Sequence, residues 1–165
     1  MKAVHSTAVV HETAIIYDGV TIEADVVIGP YCIIGAPAEW KGKKSTKGVR
    51  ISSGAILTGL ITVDAGVEQT TYIGPDAYIM KHAHIGHDAF IHSGATISCG
   101  AKIGGHAIIG QNTNIGLNAV IHQRKIVPAD CMIGMGSVIT KGLVMSQGMK
   151  YAGNPAKCLG VNIKK

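Results

Sequence analysis

Aromatic residues are scarce: one tryptophan, one phenylalanine and five tyrosines make up only 4% of 165 residues. With 22 glycines that keep no three-residue period, this composition suits tight corners around a thin core and excludes a helical bundle or a collagen. Charge is sparse as well, at 15% Asp, Glu, Lys and Arg. The net charge of +5 is scattered without a long basic run, which argues against nucleic acid as a partner while favouring anionic ligands. Four cysteines (Cys32, Cys99, Cys131, Cys158) show no CxxC or paired spacing, so buried thiols in a reducing compartment are expected. No apolar stretch reaches transmembrane length, and no linker or low-complexity tract divides the chain.

What the chain does have is an aliphatic residue at every sixth position. The series runs Val4, Val10, Ile16, Ile22, Ile28, Ile34, then Ile51, Leu57, Val63, then without interruption from Ile73 to Met145. A small residue usually stands two places earlier, as at Ala83, Ala89, Ala95, Ala101 and Ala107. A period of six is neither helical nor a simple strand alternation; it is the hexapeptide repeat of a parallel β-helix. Three hexads close one triangular coil, so the fold class is all-β: a hexapeptide-repeat solenoid of about seven coils. The solenoid is expected over residues 1–145, with a short C-terminal cap over 146–165. Because the repeat begins at Val4, no cleavable signal is expected before it, and a cytoplasmic protein is inferred. Few charges on a flat-faced prism suggest faces covered by other subunits, as in a homotrimer.

The repeat breaks twice. The first break, an extruded loop near 36–49, lies within APAEWKGKKSTKGVR; the second lies within DAGVEQTTY. Both follow residues of the third face, a set that comprises Ile16, Ile34, Val63, Ile85, Ile103, Ile121 and Ile139. Insertions in solenoids gather on one edge, often the binding one. His87, His106 and His122 fall at that same corner on three successive coils, Asp64 continues the row, and His84 is a near neighbour. His5, His11 and His92 follow other faces and suit ordinary solvated turns.

An imidazole at such an edge can take a proton from a hydroxyl or amine attacking a thioester and return it to the departing thiol. Gly105, beside His106, offers a backbone donor to the tetrahedral intermediate, and Asp88 or Asp64 can orient the base. Lys41, Lys43 and Lys44 can meet a phosphate or form a solvated basic loop, and Trp40 can stack on a ligand or pin the loop. A rival use of clustered histidines is zinc. GHDAFIH spaces His87 and His92 like the ligand pair of γ-class carbonic anhydrases, and IGMGS at 133–137 is similar to the same family. The third ligand of that site has no counterpart here, since no histidine lies between His11 and His82. A noncatalytic binding solenoid is the remaining alternative.

HAHIGHD at 82–88, IGGH at 103–106 and VIHQ at 120–123 resemble the UDP-N-acetylglucosamine O-acyltransferases that begin lipid A synthesis, over about residues 4–140. The resemblance implies a left-handed β-helix and a homotrimer with sites between subunits. It implies no permanently bound cofactor or metal, an acyl carrier protein or CoA thioester as donor, and a nucleotide-sugar acceptor. By that match His87 is the general base and Gly105 the oxyanion donor; His84, His106, His122, Gln123, Glu39 and Lys41 contact substrate. Asp64 replaces a substrate-contacting histidine, and Met135 stands where a small residue admits a long acyl chain, implying a shorter one. The family's helical C-terminal domain has no counterpart in these residues. AGNPAK at 152–157 instead resembles the closing segment of acetyl-CoA-dependent hexapeptide acetyltransferases.

Overall fold

The structure, a computed structural model, describes residues 1–163. Twenty-one short strands, from Ala3–Val4 to Val138–Ile139, wind as seven three-strand coils, and there is no helix among the described residues. The solenoid is left-handed. Each face is a parallel sheet in strict register. On the third face Ile16 pairs with Ile34, Ile34 with Val63, Val63 with Ile85, Ile85 with Ile103, Ile103 with Ile121 and Ile121 with Ile139. The sixfold count is therefore the physical register, and the two interruptions leave the repeat residues paired, with one irregularity between Ile34 and Ala36 where the first begins.

The hexad sets the local structure. Two residues form the strand, the second pointing inward, and the small residue after the turn points inward again. Ile85, Ile103, Ala89 and Ala107 are all fully buried. Removing each isoleucine from water contributes about 1.5–3 kcal/mol. Cys32 and Cys131 fill the small inward slot, and all four cysteines are free thiols.

The residue just before the small one repeatedly adopts a left-handed backbone conformation, as at Asp76 (φ 55°), Asp88 (φ 61°) and His106 (φ 57°), and Arg124 (φ 60°) does so at the equivalent position before Lys125. At the third-face corner the ladder continues around the turn: His106 N–H donates to His87 O (2.9 Å) and Arg124 N–H to Gly105 O (2.8 Å). Corner residues one coil apart are thereby held one strand spacing apart.

The ends differ. The first coil leaves Val4 and Ile15 half exposed. At the other end Met149–Gly153 lies parallel on Met132–Ile133, beginning an eighth coil, and Ala156–Val161 turns back on it antiparallel. This hairpin is the C-terminal closure, with Pro155 between its strands.

Candidate active site

Both interruptions leave the third-face corner, and they are bonded to each other. Lys47 N–H donates to Gly66 O (3.1 Å), Gly66 N–H to Gly48 O (2.9 Å), and Ser45 Oγ accepts from Ala38 N–H (2.7 Å) while donating to Ala65 O (3.3 Å). The second interruption closes over Asp88. Its carboxylate, fully buried, accepts the backbone N–H groups of Val67 (3.1 Å), Glu68 (2.8 Å) and Gln69 (2.6 Å) on Oδ1. His87 Nδ1 lies 2.6 Å from Asp88 Oδ2. Burial works to raise the Asp88 pKa, but the Gln69 and Glu68 amides and the His87 ring outweigh it and hold the carboxyl below its ordinary value. A carboxylate so held only accepts, so His87 carries a proton on Nδ1, and in the neutral ring Nε2 is the free nitrogen.

Around that nitrogen the site is tight. A Cβ on Gly105 would lie 2.6–3.1 Å from Nε2, Cε1 and Cδ2 of His87, over the face of the ring, so only glycine lets the main chain pack this close to that imidazole. The Gly105 N–H donates to no backbone group among the described residues. The His106 ring stands edge-on to His87, centroids 5.2 Å apart. Its Nε2 lies 3.3 Å from Arg124 Nη2, which can only donate, so that nitrogen accepts. Burial depresses the His106 pKa against the pull of Asp88, and the Arg124 charge adds to the depression. Trp40 reaches over from the first interruption and stacks on His87 with centroids 5.0 Å apart at 25°. Glu39, Trp40, His87, His106, Gln123 and Arg124 line a partly open pocket of about 220 Å³.

The residues singled out in the sequence divide between places. His87, Asp88, Gly105, His106, Gln123 and Glu39 come together. Asp64, and not His87, is the partner of His84: its Oδ2 lies 3.8 Å from His84 Nε2, while His84 Nδ1 meets Thr62 Oγ1 at 2.8 Å. This pair lines a neighbouring pocket with Ile33, Thr62 and Lys102, joined to the first through Glu39. Burial raises the Asp64 pKa, opposed by His84. Of the two carboxylates offered by the sequence, Asp88 is the one bonded to His87. His122 occupies the corner but binds its own neighbour, Nδ1 to Gln123 O at 2.7 Å, and lines neither pocket. The cause is register: His122 stacks over Gly104 and Gly86, one step short of the turn's apex. Lys41 is exposed and lines neither pocket, whereas Lys43 Nζ sits 5.5 Å over the Trp40 ring. Met135, 76% exposed, stands at the corner between the second and third faces, away from the His87 pocket of the same protomer. His92 is at the corner after the first face, against Phe90, so the spacing that suggested a zinc pair divides it from His87.

Arg124 and the three amides on Asp88 were not singled out from the sequence. Arg124 had a signal, since it lies eighteen places after His106. The amides had none, because backbone donors carry no residue signature.

The family model for bacterial transferase hexapeptide (six repeats) matches residues 64–99. No curated protein matches the chain at a significant level. Among solved structures, a UDP-N-acetylglucosamine acyltransferase from Campylobacter jejuni is 26% identical, with 96% of this chain and 75% of that one covered at a TM-score of 0.76. The UDP-N-acetylglucosamine O-acyltransferase of Moraxella catarrhalis RH4 is 22% identical, covering 96% and 74% at 0.72. That of Bacteroides fragilis 9343 is 23% identical, covering 98% and 73% at 0.71. The chain has the fold of these acyltransferases. Its hexapeptide transferase repeat, residues 64–99, spans both the second interruption and the His87–Asp88 pair.

Proposed function

We propose that the protein is an acyltransferase that moves an acyl group from a thioester, on acyl carrier protein or CoA, to a hydroxyl or amine of a sugar. The acceptor is a UDP-linked N-acetylhexosamine, in keeping with the solved structures of similar fold. The observation that carries this reading is the His87–Asp88 pair: a base fixed in one tautomer by a buried carboxylate, its ring lining the pocket with the Gly105 main chain packed close over Nε2. In the reaction His87 Nε2 takes the acceptor's proton as its oxygen or nitrogen attacks the thioester carbon. The Gly105 amide meets the developing oxyanion, the C–S bond breaks, and His87 returns the proton to the thiolate. Gln123, Arg124, Glu39, Asp64 and His84 supply polar contacts along the two joined pockets. The enzyme works as a homotrimer in the cytoplasm, with neighbouring protomers completing the clefts and Met135 shortening the acyl channel.

His87, Asp88 and His106 also bring three ligand atoms within 4.8 Å of one another, a spacing that suits a metal ion. The chemistry favours the dyad: Asp88 Oδ1 is already taken up by backbone donors, Oδ2 by His87, and Arg124 places a fixed positive charge beside His106 Nε2.

Acetyl-CoA and a ladder of acyl-carrier thioesters, each offered with UDP-N-acetylglucosamine, should give acceptor-dependent thiol release. His87→Ala should lose about 10²–10⁴-fold in turnover while keeping its melting temperature and oligomeric state. Unchanged turnover in that variant refutes the assignment, and stoichiometric bound metal in active protein returns the zinc reading.

A further inference from the structure

An activated base beside a thioester faces a competing acceptor. Water at roughly 55 M can attack the same carbonyl, giving a free acid and a thiol, and nothing in the His87–Asp88 pair discriminates against it. Discrimination has to come from what covers the base. In this chain the cover is Trp40, the sole tryptophan, in a protein otherwise poor in aromatics.

Three observations fix its position. The indole lies over the face of the His87 ring at 5.0 Å and 25°, and presents its edge to His106 at 5.8 Å. Face stacking covers the ring and leaves the lone pair of Nε2, which lies in the ring plane, to the pocket that His87 lines with His106 and Gln123. The loop that carries it is anchored by Ser45 and by the bonds of Thr46 and Lys47 to Gly66 O, and Lys43 Nζ sits against the indole. The remaining space, about 220 Å³, is the liquid volume of roughly seven waters. The pocket opens to solvent on one side, where a bound hydroxyl and thioester would sit, and loss of the indole would uncover the ring face of the base as well.

The geometry points to Trp40 as the residue that keeps water from the His87 base, so that the acyl group passes to a bound hydroxyl or amine instead of being hydrolysed. This rests on the transferase reading above and adds to it the means by which the site rejects the smallest nucleophile. Both reactions balance alike: a C–O or C–N bond forms, the C–S bond breaks, and the nucleophile's proton travels through Nε2 to the thiolate. Only the identity of the nucleophile depends on Trp40.

The test compares wild type, Trp40→Ala and Trp40→Phe, following thiol release from acetyl-CoA and from acyl-carrier thioesters with and without UDP-N-acetylglucosamine. Trp40→Ala should raise the ratio of hydrolysis to transfer by tenfold or more, and Trp40→Phe should restore most of the wild-type ratio. A ratio unchanged in Trp40→Ala, whatever happens to the absolute rates, overturns the inference and leaves the transferase standing. A wild-type protein that releases no thiol with any of these pairs overturns the transferase reading, and this inference with it.

Discussion

Two turns of this solenoid have nearly the same sequence: Gly74-Pro75-Asp76-Ala77 and Gly86-His87-Asp88-Ala89. Both aspartates sit in the left-handed conformation, φ 55° and 61°, just before a fully buried alanine. Asp76 is exposed at the corner after the first face; Asp88, at the corner after the third, is completely buried. The repeat supplies the same backbone to both. The difference is made by the second interruption, whose amides cover one carboxylate and leave the other to water. In this fold the coil provides position and the insertions provide chemistry.

The comparison breaks most sharply at Asp88. Asp88→Asn retains the shape but offers His87 Nδ1 a donor, which favours the wrong tautomer. Turnover should fall roughly 10²–10⁴-fold, by steady-state kinetics. The same variant should alter acid stability. Because the folded pKa of Asp88 is lowered, its contribution is fully present above the ordinary carboxylate value, near 3.9, and is lost as pH falls through the lower folded value. Denaturant unfolding should show the wild type losing stability in that acid range more steeply than Asp88→Asn. A smaller effect is expected at Gly105→Ala, whose Cβ would press on the His87 ring and displace Nε2. A loss of kcat/KM of about tenfold or more, with a nearly unchanged melting temperature, is the expected result. The smallest effect sharpens the contrast: Asp76→Asn should stay within about 0.5 kcal/mol in stability and leave turnover unaltered.

The fold was legible because the period is a property of the core. Every inward residue has to be aliphatic or small, so register, face and the corner shared by both interruptions all follow from counting, down to the pairing of Ile85 with Ile103. His87 and His106 were legible by the same count. Convergence was harder. His122 shares the corner, yet one step along the turn separates a ring in the pocket from a ring beside it, and a count of eighteens does not resolve that step. The path of the first interruption lies outside the repeat altogether, so the stacking of Trp40 on His87 needed coordinates, as did the choice of Asp88 over Asp64 as the partner of His87.

The grip on Asp88 has a consequence for how this protein tolerates change. Val67, Glu68 and Gln69 act through main-chain N–H groups, so most side-chain replacements there preserve all three donors. Proline removes one outright, and a single inserted or deleted residue shifts the whole row out of line. The stretch is therefore constrained in length, and in composition chiefly at Gln69, whose side-chain Nε2 also donates to Asp88 O (2.7 Å). A redesign that seeks to retune the acidity of the buried carboxylate has its handle in the spacing of the segment, not in its side chains.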